Sequence, residues 1–378
     1  MGIERKNTIG KRLITFAVPT LLGLLAIEGT LHLAGHGPIT PRESSYAFDR
    51  LLGWQPIPSK NQTRIGGQYR SVVHHNAYGF RGPPLRRHPK ERVLVLGDSF
   101  TEAYQLNWGQ TFVGLMQQSF DGKGRNLEFI NMGVAGYSTD QELLYYEKHA
   151  KGLTHQWVVL MFYASNDLRG NIQESFGGYA KPTLDRKALT KGQIRIANAP
   201  LKKRDGKSRS IFKRLALTTT IARNVLGSTW ALKKLRQLGW QVSDISRPGA
   251  QLVSPPTTAL LDAYQHFARI SALLAKRVRT NGAKLLIAYV PSRLEANIGL
   301  YNEILGDHDG FDRLQGERLF FDVCRDNGLD CISTRPRLEK SITAGHACYF
   351  SRDQHWNATG HNWVAEFLGQ EVAKRFAH

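Results

Sequence analysis

Four short stretches of this chain carry the residue types that acyl transfer needs. Ser99 follows the apolar run of Arg92-Val93-Leu94-Val95-Leu96-Gly97-Asp98-Ser99-Phe100-Thr101, where its hydroxyl could attack a carbonyl. Attack requires a base. His355, within Ser351-Arg352-Asp353-Gln354-His355-Trp356-Asn357, can take the proton, and Asp353 two residues earlier can orient the ring and stabilise the imidazolium. The oxyanion that forms needs donors: the backbone N–H groups of Ser99 and Gly136 and the side-chain amide of Asn166 could supply three. Each residue also has an ordinary use: a serine can cap a helix, Asn166-Asp167 can be a plain turn, Gly136 can meet a backbone demand and a lone histidine can be structural.

These residues need a scaffold that brings distant loops together. Val93 to Leu96 is too short for a helix and reads as a fully buried parallel strand, with Ser99 at its carboxyl end, where open α/β sheets bind ligands. Three more apolar runs have the same character: Leu127 to Asn131, Trp157 to Phe162, and Lys284 to Pro291. Helical spacing appears over 110–120, over 258–280 with Gly282 marking its end, around 311–326, and from Thr359-Gly360 through Val372. A short strand is expected near Asp330 to Ser333, and Thr139 with Glu142 reads as a capping box opening a further helix. Strands alternating with helices imply an α/β fold, a mostly parallel sheet with helices on both faces.

The flanking regions are of another kind. Residues 37–90, rich in Pro, Gly, Arg and His, read as an irregular lead-in, and 168–255 as a solvated, partly helical basic insertion that includes Lys181, Lys202 and Lys203. At the N-terminus, Arg5, Lys6, Lys11 and Arg12 precede an apolar stretch from Leu13 through Ile27, which reads as a membrane anchor over 1–36. The basic flank would stay in the cytoplasm and the remaining chain, the catalytic domain over 91–378, would lie outside it. The net charge of +20 then points to lipid head groups or an anionic polymer as partner and away from nucleic acid. Cys324, Cys331 and Cys348 leave two readings open, a Cys324–Cys331 disulfide with one spare thiol or three buried thiols. No cysteine spacing suggests zinc, and the chemistry calls for no metal or cofactor.

The order of the four stretches resembles the SGNH, or GDSL-like, hydrolases. Gly97-Asp98-Ser99-Phe100 is similar to the first block of that family, Asn131-Met132-Gly133-Val134-Ala135-Gly136 to the second, Ala164-Ser165-Asn166-Asp167 to the third with Ala164 in place of glycine, and Asp353-Gln354-His355 to the last with a shorter spacing. Leu52-Gly53-Trp54 and Tyr78-Gly79-Phe80-Arg81-Gly82 resemble the lead-in of membrane-anchored bacterial members, and Asp353, His355 and Trp356 the ending of SGNH-like domains that O-acetylate exported polysaccharides. The resemblance implies a flavodoxin-like three-layer α/β/α sandwich and a metal-independent serine esterase that removes acetyl or short acyl groups from a carbohydrate. A polysaccharide O-acetyltransferase would use the same acyl-enzyme on Ser99, with a sugar hydroxyl replacing water. A catalytically silent polysaccharide-binding protein is the reading from outside enzymology.

Overall fold

The computed structural model describes residues 19–20, 22–30, 45–203, 249–306 and 309–376. Its centre is a parallel sheet of β5 (Glu91–Gly97), β6 (Leu127–Gly133), β7 (Trp157–Phe162), β10 (Lys284–Tyr289) and β11 (Asp330–Ser333), in spatial order β6-β5-β7-β10-β11. Numbered within the sheet this is 2-1-3-4-5, the flavodoxin-like order, and it places a topological switch point beside the end of β5. Alternation along the strands feeds two apolar layers. Leu94, Leu96, Leu160 and Phe162 pack beneath α3 (Thr139–His149), α5 (Thr258–Thr280) and α6 (Gln315–Asp326). Val93, Val95, Val159 and Met161 face α2 (Phe112–Gly122), α7 (Arg335–Thr343) and α8 (Ala358–Phe376). The three-layer expectation therefore holds, because five short apolar strands can be buried only if both faces are covered.

Two local expectations are corrected. Helix α3 starts at Thr139 with Ser138 as its cap residue, and no side-chain capping bond forms there. Glu142 points into the interior with neither carboxyl oxygen bonded, so the Thr139–Glu142 spacing reflects burial and not a capping box. The lead-in is irregular only in part: over 46–74, β1 (Tyr46–Asp49) pairs antiparallel with β2 (Gly53–Pro56), and β3 (Asn61–Gly66) with β4 (Tyr69–His74), whereas 75–90 forms neither strand nor helix. In β4, Ser71 and Val73 point inward while Val72 points to solvent, a two-residue period diluted by the surrounding Arg and His.

The expected basic insertion is ordered over its described part. It begins within α4 (Ala164–Gly170) and contains the small hairpin of β8 (Ser175–Phe176) with β9 (Tyr179–Ala180) and a turn of helix at Arg186–Thr190. Lys181, expected in solvent, is fully buried, with Nζ 2.7 and 2.6 Å from the two carboxylate oxygens of Asp140. Burial is possible because this one cation meets an anion in the interior. The basic residues of 204–248 lie outside the described residues, as does most of the expected anchor; residues 22–30 are helical, and no described helix is long and apolar enough to cross a membrane. Cys324 and Cys331 form a disulfide, and Cys348 is a buried free thiol.

Candidate active site

Strand β5 ends at Gly97, whose φ of +153° and closeness to Thr101 leave no room for a side chain; a Cβ there would sit 2.1 Å from Thr101 Oγ1. The chain can therefore turn at once into α1 (Ser99–Glu102), a single turn capped by Asp98, whose Oδ1 accepts the Phe100 N–H at 2.8 Å. Asp98, not Ser99, is the cap. The serine is left as the first residue of the turn and is half-buried.

The structure brings that hydroxyl to the far end of the chain. Ser99 Oγ lies 2.7 Å from His355 Nε2, and His355 Nδ1 hydrogen-bonds to Asp353 Oδ1. The two-residue spacing works because Asp353 Oδ1 also accepts the backbone N–H of His355 at 2.9 Å, folding the acid back onto its own histidine. With Nδ1 engaged by the carboxylate, the tautomer that satisfies both bonds leaves Nε2 as the acceptor for the serine proton. Burial works against the Asp353 anion, but the charge and hydrogen bonds of His355 outweigh it and hold the carboxyl below its ordinary range. The ring of Phe100 sits 4.8 Å from the imidazole and that of Tyr104 5.8 Å, so the histidine is packed as well as bonded.

The expected oxyanion donors lie on neighbouring loops. Gly136 follows β6 with φ +81°, and a Cβ there would come within 2.3 Å of the Phe176 ring, so both the turn and the close approach require glycine. Among the described residues, no carbonyl or side chain accepts the N–H of Ser99 or of Gly136. Asn166 sits on α4 beside the same loop, but its amide Nδ2 donates to Asp98 Oδ2 at 3.0 Å and to the Tyr137 carbonyl at 3.1 Å. Both of its protons are thereby spent on tying α1, the Gly136 loop and α4 together. The expected third donor is present at the site, but it must turn from one of these partners to reach an oxyanion.

Two buried polar clusters behind the serine escaped the reading of the sequence. In one, Glu102 accepts the Tyr46 hydroxyl at 2.6 Å and the Ala135 N–H at 2.7 Å, with His75 Nε2 3.4 Å away. In the other, Asp98, Asp140, Glu142 and Asp167 share the interior with Lys181, and burial pushes the Asp98, Glu142 and Asp167 carboxyls upward. Acids in the first turn after a nucleophile and in a helix's first turn look like ordinary capping residues, which is why neither cluster stood out. No group of three or more His, Cys, Asp or Glu among the described residues is arranged to hold a metal ion.

Residues 256–378 match the family described as the SGNH hydrolase-like domain of the acetyltransferase AlgX, a segment that contains Asp353 and His355. No curated protein matches the chain. Among solved structures, the acetyl xylan esterase AlAXEase is 15% identical with a TM-score of 0.40, covering 74% of this chain and 99% of its own. The acetylxylan esterase Axe2 of Geobacillus stearothermophilus is 11% identical with a TM-score of 0.39, covering 76% and 96%. The psychrotrophic esterase EstA of Pseudoalteromonas sp. is 10% identical with a TM-score of 0.37, covering 76% and 100%.

Proposed function

Residues 256–378 match an SGNH hydrolase-like domain, and from that premise we propose that the chain is a serine esterase that removes acetyl or short acyl groups from a carbohydrate outside the cytoplasm. The observation that carries the reading is the unbroken series of contacts from Ser99 Oγ to His355 Nε2 and from His355 Nδ1 to Asp353. In the first step, Nε2 takes the hydroxyl proton as Oγ bonds to the acyl carbon, and the carbonyl oxygen becomes an oxyanion facing the N–H groups of Ser99 and Gly136. His355 then returns the proton to the departing sugar oxygen, leaving an acyl ester on Ser99. A water deprotonated by the same imidazole releases the acid and restores the serine.

The family match favours a second outcome for that ester. A sugar hydroxyl in place of water would make the enzyme a polysaccharide O-acetyltransferase, the activity named for the matched domain. The half-buried rings of Tyr69, Tyr104 and Phe350 near His355 are the type of surface on which a sugar ring packs. Placement outside the cytoplasm is supported by the Cys324–Cys331 disulfide, which persists in oxidising compartments, and by the basic and apolar N-terminal segment, which would anchor the chain in a membrane near anionic head groups.

The test is turnover of p-nitrophenyl acetate by the full-length protein in detergent. Ser99→Ala is expected to lower kcat by roughly three orders of magnitude or more with an unchanged melting temperature, since a small loop hydroxyl contributes little to packing. Acetylated product appearing with an added oligosaccharide acceptor would identify transfer. A folded wild-type protein with no turnover and no labelling of Ser99 by a fluorophosphonate would leave the silent binding protein as the better reading.

A further inference from the structure

Resting on the esterase reading above, we propose that Glu102 is a positioning residue that holds the oxyanion loop in place, and that the lead-in hairpins before the catalytic domain complete its active site by holding Glu102. The loop between β6 and α3, which Asn166 of α4 ties at the Tyr137 carbonyl, is held on either side of Gly136 by Glu102 and Trp54. Ala135, the residue before Gly136, donates its N–H to Glu102 Oε2 at 2.7 Å, and its carbonyl accepts the Trp54 Nε1–H at 3.2 Å. Tyr137, the residue after, donates its hydroxyl to the Trp54 carbonyl. Both neighbours of Gly136 are therefore tied, one through a carboxylate on the serine's own helical turn and both through β2.

Glu102 is in turn fixed by the lead-in. Tyr46 of β1 donates to it, His75 just past β4 faces Oε1, and Arg64 of β3 lies within electrostatic reach. Burial opposes the anion, yet His75, Arg64 and Tyr46 together hold the carboxyl down to about 2. An ionised acceptor makes a short, strong bond to the Ala135 N–H and so fixes the following peptide, whose N–H belongs to Gly136. The same hairpins brace the acid loop. Gln68, at the tip of β3–β4, donates to Ser351 Oγ at 2.7 Å and accepts the Arg352 N–H at 2.7 Å, next to Asp353. Serine turn, oxyanion loop and acid loop thus share one support, and it comes from residues 46–75.

Glu102→Gln keeps the size of the side chain and removes its charge, and Tyr46→Phe removes one of its holders from a position far along the chain. In the full-length protein, Glu102→Gln is expected to lower kcat on p-nitrophenyl acetate about tenfold with KM within about twofold, and Tyr46→Phe about threefold with the same split, since a misplaced oxyanion donor weakens the transition state alone. Backbone amide exchange over residues 134–137, read by mass spectrometry, is expected to quicken in both variants. Full kcat with unchanged exchange in both overturns the proposal, as does a kcat loss matched by a rise in KM while exchange at 134–137 stays unchanged. If the wild-type protein lacks turnover, the esterase reading fails, while the exchange measurement still decides whether Glu102 positions the loop. Should Glu102→Gln fail to fold, Tyr46→Phe gives the same two readouts.

Discussion

Glu102 and Glu142 are equally withdrawn from solvent, at 0% and 1% exposure, yet they sit in opposite charge states. Glu102 meets Tyr46, His75 and the Ala135 N–H, and is held down to about 2. Glu142 has no partner for either oxygen; burial, and then the charges of Asp98 and Asp140, push it well above the ordinary range, against the pull of Lys181. Burial by itself protonates a carboxyl, and only donors arranged around it preserve the anion. The difference is one of neighbours: the hairpins supply donors to Glu102, and the interior of α3 supplies none to Glu142.

The comparison breaks most visibly at Lys181, the one cation in the second cluster. Lys181→Met leaves the Asp140 carboxylate buried without a counter-charge and is expected to lower stability by about 3–5 kcal/mol in urea denaturation. A loss below about 1 kcal/mol would mean that the cluster is already neutral and that Lys181 supports nothing.

Acid titration sharpens the contrast. Because the folded Glu102 carboxyl lies at about 2 against an ordinary 4.5, its contribution is present above pH 4.5 and is lost as pH falls from 4.5 through about 2. The stability gap between wild type and Glu102→Gln is therefore expected to narrow across that window, by on the order of 3 kcal/mol. A gap that does not change with pH would show that the carboxyl carries no special stabilisation as an anion.

The smallest effect is expected from Glu142→Gln. At pH 4 the folded carboxyl is already neutral, so an amide of the same shape should alter stability by no more than about 1 kcal/mol. Its pH dependence has the opposite sign to that of Glu102. A raised folded pKa leaves the wild type most favoured below 4.5 and progressively less so as pH climbs toward that raised value, because only the unfolded chain ionises. Denaturation at several pH values should show the variant gaining on the wild type from pH 4 to 7. Parallel curves would place a donor or counter-charge beside Glu142.

Much of the architecture was legible in the residues. Runs such as Val93–Leu96 and Trp157–Phe162 are apolar without alternation, and such runs can satisfy their backbone only inside a covered parallel sheet, so the strands and the two helical layers follow. Asp353 and His355 were legible as a pair, and Ser99 as a hydroxyl at a strand's carboxyl end. The hairpins of 46–74 were not, because short strands that mix polar residues such as Asn61, Gln62, Arg64, Arg70 and His74 with few apolar ones show little period. Lys181 and Glu142 were misread because solvation and capping are the usual fate of such side chains, and the sequence does not mark an exception.

The sequence alone determined which groups the chain offers for the proposed acyl chemistry, since the hydroxyl at 99, the imidazole at 355, the carboxylate at 353 and the glycine loop are matters of residue type and local turn geometry. Only the tertiary structure decided how those parts are held. The distance from Ser99 to His355 spans 256 positions of chain, and the ionised state of Glu102 depends on Tyr46 and His75 approaching from another segment. Charge state and loop placement depend on distances of a few ångströms between remote residues, and these arise when the elements pack.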